Sequence, residues 1–269
     1  MYTVSFIGSG NVAFRLSIAL QRAGHKIECI CSRNIENALQ VVRAVKRHKG
    51  NPFATTDYTQ VPSSDIIIIA VSDNAIGDVA RELLNKRGSL VVHTSGAESM
   101  ETLKNAGLER CGVLYPLMTL SKNKDLDIRM IPFLLEASCP EDEKILAEVV
   151  NSLRAEYKVC DSQKRLQMHT AAVFSTNFIN YLLGLSYDVA YPDFTFLLPC
   201  AIETVRKAFL NKPSVSQTGP AVRDDRQTID KHLRLLESCG LTEQYEVYRA
   251  LTDNIMKRYA SKINNTTDE

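Results

Sequence analysis

The sequence lacks the cysteine spacing that a disulfide framework or a zinc ribbon requires. Its seven cysteines are an odd number scattered over 269 residues, and none stands in a Cys-x-x-Cys pair. Neither class of stapled domain is indicated, and no metal site is expected. Cys29 and Cys31 alternate along a predicted strand, so we expect both to be reduced packing residues in a reducing compartment.

The sequence also lacks an excess of charge of either sign and any long apolar run. Its 32 lysines and arginines against 31 aspartates and glutamates give a formal charge of +1, which argues against a nucleic-acid-binding face. The longest apolar stretch, Ile66 to Val71, is far shorter than the ~20 residues of a membrane span. Met1 to Val4 shows no secretion signal. We therefore expect a cytoplasmic protein with neither nucleic-acid nor membrane partners.

What the sequence does contain is an alternation of β-rich runs and helical patterns through its first 160 residues, as in βαβ units. The apolar run Asp65 to Val71 is typical of a central parallel strand buried on both faces. The predicted strands are 3–7, 26–31, 53–55, 65–71, 89–93, 110–114, 130–137 and 157–160. The predicted helices between them are 11–23, 35–49, 74–86, 99–105 and 141–153.

From Ser162 onward the periodicity is helical almost throughout. The helices predicted there are 164–189, 194–210, 228–238 and 242–261. We therefore predict an α/β domain with a mostly parallel sheet over residues 1–160 and an all-α helical domain over 161–269.

A Gly-x-Gly-x-x-Ala motif lies between the first predicted strand and the first predicted helix. It reads Gly8-Ser9-Gly10-Asn11-Val12-Ala13. Gly8 permits a tight turn, Gly10 lets the backbone approach a pyrophosphate, and Ala13 lets the helix pack on the strand. Backbone N–H groups at the helix N-terminus would then face the anion. We interpret the motif as the dinucleotide fingerprint of a Rossmann-like domain; the alternatives are a tight turn without a ligand and an S-adenosylmethionine loop.

The end of the second predicted strand favours NADP(H) over NAD(H). It reads Cys31-Ser32-Arg33-Asn34 and carries no carboxylate for a ribose 2′-hydroxyl. Arg33 can instead face a 2′-phosphate, to which Ser32 and Asn34 can hydrogen-bond. The alternative is that Arg33 is merely solvated at a helix start.

Residues that follow the next strands are candidates to border the nicotinamide, because ligands bind at the carboxyl ends of parallel strands. Val71, Ser72 and Asp73 follow the fourth strand, although capping of the next helix is the favoured interpretation of Asp73. His93 ends the fifth strand and precedes Thr94-Ser95-Gly96. A buried structural role for His93 is an equal alternative to a catalytic one.

The long helix predicted over 164–189 carries polar residues on one otherwise apolar face. His169, Val173, Asn177 and Asn180 fall within about 80° of one another at 100° per residue. If this face closes over the nicotinamide, His169 can donate a proton and Asn177 can orient a carbonyl or imine. The alternative for His169 is a satisfied core residue. The turn-rich segment Thr218 to Asp225 either binds a substrate carboxylate or has the slightly favoured structural role.

These residues resemble a family of short bacterial proteins that pair a Rossmann-like domain with a helical domain of unknown function numbered 2520, generally named NADP oxidoreductases. The resemblance rests on Ile7 to Ala13, Ser32-Arg33, Ala70 to Asp73, His93 to Gly96, His169 to Asn177 and Thr218 to Leu233, which span nearly the whole chain. The N-terminal motifs are shared with deazaflavin-dependent NADP reductases, pyrroline-5-carboxylate reductases and 6-phosphogluconate dehydrogenase-like enzymes.

The resemblance implies an NADP-binding domain over 1–160 and a substrate and dimerisation domain over 161–269, which would make a homodimer. Two departures limit what it implies about catalysis. Many relatives have histidine where this chain has Tyr115, which with Met118 is a candidate wall of the substrate pocket. In the 6-phosphogluconate dehydrogenase-like enzymes a lysine one turn before an asparagine does the chemistry; Asn177 matches that asparagine, but Val173 replaces the lysine.

We predict an oxidoreductase that moves hydride between NADPH and a carbonyl or imine of a small polar metabolite. His169, Asn177 and His93 are the catalytic candidates, with His169 as the proton donor. A non-catalytic NADP(H)-binding dimer that senses redox state or scaffolds a partner is the first alternative. The second is a deazaflavin-dependent NADP reductase.

Overall fold

The computed structural model describes residues 1–123 and 126–264, with side chains up to Tyr259. The chain divides into two compact units after Val173. Among the described residues, no helix combines the length and the apolar character that crossing a bilayer would require.

A mostly parallel sheet forms the centre of the first unit. Within the described residues its eight strands lie in the order β3-β2-β1-β4-β5-β6-β7-β8. Only β6 and β7 pair antiparallel. The strands are β1 Thr3–Ile7, β2 Lys26–Cys31, β3 Phe53–Thr55, β4 Ile66–Ile69, β5 Leu90–His93, β6 Cys111–Pro116, β7 Phe133–Ala137 and β8 Tyr157–Val159. This order confirms the predicted Rossmann-like α/β class.

Helices cover both faces of the sheet, since parallel strands are joined by helical crossovers. They are α1 Asn11–Arg22, α2 Ile35–Lys46, α3 Ile76–Glu82, α4 Glu101–Asn105 and α5 Pro140–Ser152, and α6 Ser162–Ser175 follows the last strand. The isoleucines of β4 alternate between two clusters: Ile66 and Ile68 pack with α1, α2 and α5, whereas Ile67 and Ile69 pack with α3 and α4. All four are at most 1% exposed, as predicted for a central strand.

The second unit is helical, and its described part contains no strand. Its helices are α7 Asn177–Ala190, α8 Leu198–Asn211, α9 Pro213–Ser216, α10 Arg226–Ser238 and α11 Thr242–Asn264. The predicted all-helical half is thus confirmed. The sheet ends at Val159, close to the predicted division at residue 160, but the first compact unit continues through most of α6.

The single helix predicted over 164–189 is wrong, because α6 ends at Ser175 and α7 begins at Asn177. Thr176, between them, has φ −130° and ψ −68°. Its hydroxyl donates to Asn177 Oδ1 at 2.9 Å, and such local side-chain bonds compete with the helical backbone pattern. The angular argument that placed His169 and Asn177 on one helix face therefore fails at Thr176.

Candidate functional site

The first turn of the glycine motif lies where the strand order reverses between β1 and β4. Gly8 N donates to Cys31 O, and Ala70 N donates to Ile7 O, both at 2.7 Å. Gly8 has φ +115°, and a Cβ there would stand 2.1 Å from the carbonyl oxygen of Ala70. Only glycine can therefore occupy this position without moving the end of β4.

The start of α1 is exposed to a ligand at this reversal point. Gly10 occupies the N-cap position, makes no side-chain cap bond and has no neighbouring atom within 4 Å of where a Cβ would stand. The first turn of α1 contains no acidic residue. The open backbone and the positive end of the helix dipole suit a phosphate group.

A cavity of about 620 Å³ opens beside this loop at the carboxyl ends of the strands. All predicted cofactor-binding residues except the fully buried Ala13 line it. These lining residues are Gly8, Ser9, Gly10, Asn11, Val12, Ser32, Arg33, Asn34, Val71, Ser72 and Asp73. A cavity of this size, built around a glycine loop and a free helix end, fits a dinucleotide.

The residues after β2 form one side of the cavity. Ser9 and Ser32 hydroxyl oxygens lie 2.8 Å apart. Asn34 Oδ1 caps α2 by accepting the backbone N–H groups of Glu36 at 2.9 Å and Asn37 at 3.2 Å. The Asn34 oxygen is therefore occupied, whereas Arg33 is exposed and forms no ion pair among the described residues.

Tyr58 and Asn37 also line this side of the cavity, and sequence reasoning missed both. Asn37 lies in the first turn of α2, and Tyr58 begins a short helix after β3. The available signal was the position of Tyr58 three residues after the end of the predicted strand 53–55.

Ser72 and Asp73 follow β4 and open a short 3₁₀ helix over Asp73–Ala75. Neither side chain makes the capping hydrogen bond that the helix-cap interpretation predicts, so that interpretation is wrong. Both side chains instead line the cavity.

His93 is fully buried at the end of β5 and does not line the cavity. Its Nδ1 accepts the backbone N–H of Ser95 at 3.2 Å. Burial, followed by the charge of Arg165, lowers the pKa of His93 to about 3. A histidine held neutral inside the sheet layer cannot exchange protons with a ligand in the cavity, so the structural interpretation of His93 replaces the catalytic one.

His169 of α6 lines the cavity beside Ser95 and Gly96. Its Nδ1 lies 2.8 Å from the Tyr115 hydroxyl, and the two rings meet edge to face at 5.7 Å. Of the three catalytic candidates, His169 is the one whose side chain reaches the cofactor cavity in the first unit.

A buried ion pair that sequence reasoning missed anchors α6 one turn before His169. Arg165, 1% exposed, pairs with Glu136 of β7 and donates to Glu98 O at 2.6 Å. Ser162 donates to Glu136 Oε2 at 2.8 Å and accepts the backbone N–H of Met100 at 3.1 Å. No local pattern in the sequence signals this pair, because its partners are 29 positions apart.

The other predicted site residues belong to the second unit. Asn177 begins α7, where its side chain bonds with that of Thr176. In the turn-rich segment, Asp225 caps α10 by accepting from Thr228 N at 3.1 Å, and Asp224 pairs with Arg226 at 2.6 Å. Both carboxylates are thus used locally, in keeping with the structural interpretation of Thr218 to Asp225.

Comparisons with known proteins bear on both parts of the chain. The family described as NADP oxidoreductase, coenzyme F420-dependent, matches residues 3–96, and the domain of unknown function DUF2520 matches residues 131–255. No curated protein matches the chain.

Three solved structures resemble the chain over nearly its whole length. A candidate NADP oxidoreductase from Bacteroides fragilis is 31% identical, with coverage of 95% of this chain and 98% of that one and a TM-score of 0.84. A Thermotoga maritima protein is 23% identical, covering 96% and 99%, with a TM-score of 0.69. An imine reductase variant from Myxococcus stipitatus, in complex with NAD+, is 17% identical, covering 97% and 99%, with a TM-score of 0.60. The last two likenesses show the fold alone.

Proposed function

This chain belongs to the family of NADP oxidoreductases in which a Rossmann-like domain precedes the helical DUF2520 domain, and from that premise we propose that it reduces a carbonyl or imine of a small polar metabolite. The expectation of NADP(H) as cofactor is confirmed at the level of the family. The observation that carries the proposal is that one cavity joins the glycine loop to His169.

Different residues of the cavity bind different parts of the cofactor. The Gly8 to Val12 loop and the N-terminus of α1 hold the pyrophosphate, since their backbone N–H groups meet an anion at a positive helix end. Arg33 and Ser32 take the 2′-phosphate, because both line the cavity and a guanidinium matches phosphate geometry. Ser72 and Asp73 border the nicotinamide.

A nicotinamide held in this cavity would supply hydride for the carbon of a C=O or C=N group. His169 donates the accompanying proton to the oxygen or nitrogen, which yields an alcohol or an amine. The solvent-facing cavity allows the imidazole to regain its proton from water.

Turnover of a His169→Gln variant tests this assignment. Assayed with NADPH and a panel of keto acids, aldehydes, imines and a deazaflavin, the variant should turn over roughly 100-fold more slowly while keeping its NADPH affinity. His48→Gln, in the turn after α2 and outside the residues that line the cavity, is the matched control. Unchanged turnover in His169→Gln would remove His169 from the mechanism. NADPH binding by the wild type without oxidation across the panel would favour the non-catalytic dimer.

Titration with both cofactors tests the role of Arg33. Arg33→Ala should weaken NADPH binding roughly 10- to 100-fold, the scale of a hydrogen bond to a charged group, and leave NADH binding nearly unchanged. Arg43→Ala, on the exposed face of α2, should change neither. Equal loss of both cofactors in Arg33→Ala would contradict the assignment.

We also propose that the helical unit forms a homodimer. Large apolar side chains of α8 and of the segment before it are exposed in the single chain, among them Phe196 at 83% and Phe209 at 81%. A stable interface needs roughly 800 Å² from each partner, and a contiguous apolar helix face suits a two-fold contact. Phe209→Glu should produce a monomer by light scattering, whereas Met130→Glu, at a side chain 70% exposed in the first unit, should not. A dimeric Phe209→Glu would place the interface elsewhere.

The free cysteines agree with the proposal of a cytoplasmic protein. All seven are unpaired thiols, as expected in a reducing compartment.

A further inference from the structure

We propose that Tyr115 is a positioning residue whose hydroxyl hydrogen-bonds Nδ1 of the His169 imidazole and leaves Nε2 for the cavity. The role of His169 in proton transfer rests on the function proposed above, but the hydrogen bond that positions its ring does not.

The hydrogen bond between the two side chains defines the orientation of the ring. The Tyr115 hydroxyl lies 2.8 Å from His169 Nδ1. Burial, followed by the charge of Asp73, raises the pKa of Tyr115, so the hydroxyl keeps its proton at neutral pH. A protonated hydroxyl can donate to Nδ1 of a neutral ring or accept from Nδ1–H, so it can bond this nitrogen both before and after the ring gives up a proton from Nε2.

A glycine makes room for this contact. A Cβ on Gly96 would lie 2.6 Å from Tyr115 Cζ and 2.7 Å from His169 Nδ1, closer than side-chain atoms approach. Gly96 follows β5, the strand beside β6, so its backbone packs directly against the paired rings. Any side chain at position 96 would therefore push the two rings apart.

Both partners of the hydrogen bond are attached to rigid elements. Tyr115 pairs with Leu134 in the antiparallel β6–β7 ladder. His169 stands one helical turn after Arg165, whose buried pair with Glu136 ties α6 to β7. Arg165 therefore fixes the backbone of α6, and Tyr115 fixes the rotation of the His169 ring.

Nitrogen-15 NMR of the histidine rings tests the proposal without any assay of activity. In the wild type, the Nδ1 signal of His169 should be shifted by this hydrogen bond from that of a solvated imidazole; the His169→Gln spectrum identifies its signals among the five histidines. Tyr115→Phe should return the Nδ1 signal to the position of a solvated imidazole. Gly96→Ala should do the same while keeping the hydroxyl. Tyr157→Phe, on the edge strand β8, should leave the signal unchanged.

Kinetics with a substrate from the panel provide the second measurement. Tyr115→Phe should lower kcat about 3- to 10-fold, the scale of one neutral hydrogen bond, and leave the KM for NADPH unchanged. Tyr115→His, which restores a ring N–H donor, should recover part of the loss. A Tyr115→Phe variant whose His169 Nδ1 signal matches that of the wild type would overturn the proposal. A wild-type Nδ1 signal that depends on Tyr115 in a protein that oxidises no NADPH would uphold the positioning role and refute the proposed reaction.

Discussion

Replacing Glu136 by glutamine tests the buried ion pair that anchors α6. The guanidinium of Arg165 is 1% exposed, and the Glu136 carboxylate, 14% exposed, is the group that balances its charge. Glutamine keeps the size of the side chain and one acceptor oxygen but removes the charge. Arg165 would then be a buried cation without a counter-ion.

Removing one partner of a buried ion pair costs about 3–5 kcal/mol, and the remaining amide oxygen puts Glu136→Gln near the lower end, about 3 kcal/mol. For a unit of this size each kcal/mol lowers the melting temperature by roughly 2–4 °C, so we expect a decrease of roughly 6–12 °C. Calorimetry and urea denaturation followed by circular dichroism measure both quantities.

Two further variants distinguish the effect of breaking the buried ion pair from the general effect of losing a carboxylate. Glu101→Gln removes an exposed pair with Lys104 and should cost less than about 1 kcal/mol. Glu136→Gln combined with Arg165→Met removes both buried charges and should recover much of the lost stability, since an apolar replacement avoids the desolvation penalty. If Glu136→Gln is as stable as the control, the reasoning from burial is refuted.

Three other properties of the chain lead to predictions. Gly8→Ala should lose roughly 1–3 kcal/mol from backbone strain alone, measured by thermal denaturation, whereas Gly10→Ala should keep wild-type stability and bind NADPH more weakly in a titration. Because His93 has a pKa of about 3 when folded and about 6.5 when unfolded, only the unfolded chain takes up its proton between these values. The contribution of His93 to the free energy of unfolding is therefore complete above pH 6.5 and falls by about 1.4 kcal/mol for each pH unit below it. His93→Gln should abolish this pH dependence in urea titrations from pH 7 to 4. Burial raises the pKa of Cys29 to about 12, so a disulfide reagent should modify the exposed Cys200 rapidly and Cys29 only after unfolding; equal rates would contradict this.

The features that sequence predicted well depend on residues close together along the chain. Local periodicity and turn chemistry were enough to predict the glycine motif, the strand end at Ser32-Arg33 and the buried isoleucines of β4. The features that it missed join distant residues: Tyr115 and His169 are 54 positions apart, and Arg165 and Glu136 are 29 apart. Their contact depends on the strand order and on the docking of α6, which no local pattern records. The break at Thr176 was missed for another reason, because apolar periodicity continues through it.

The two outer strands of the sheet have a consequence for how the folded protein behaves at high concentration. An open sheet ends in unpaired backbone groups that could recruit the edge of a neighbouring molecule. Here both edges, β3 and β8, are only three residues long. Pro52 immediately precedes β3, and the charged Lys158 stands at the centre of β8. Such short, interrupted edges offer a poor template for edge-to-edge growth, so the fold protects itself from fibrous aggregation at both ends of its sheet.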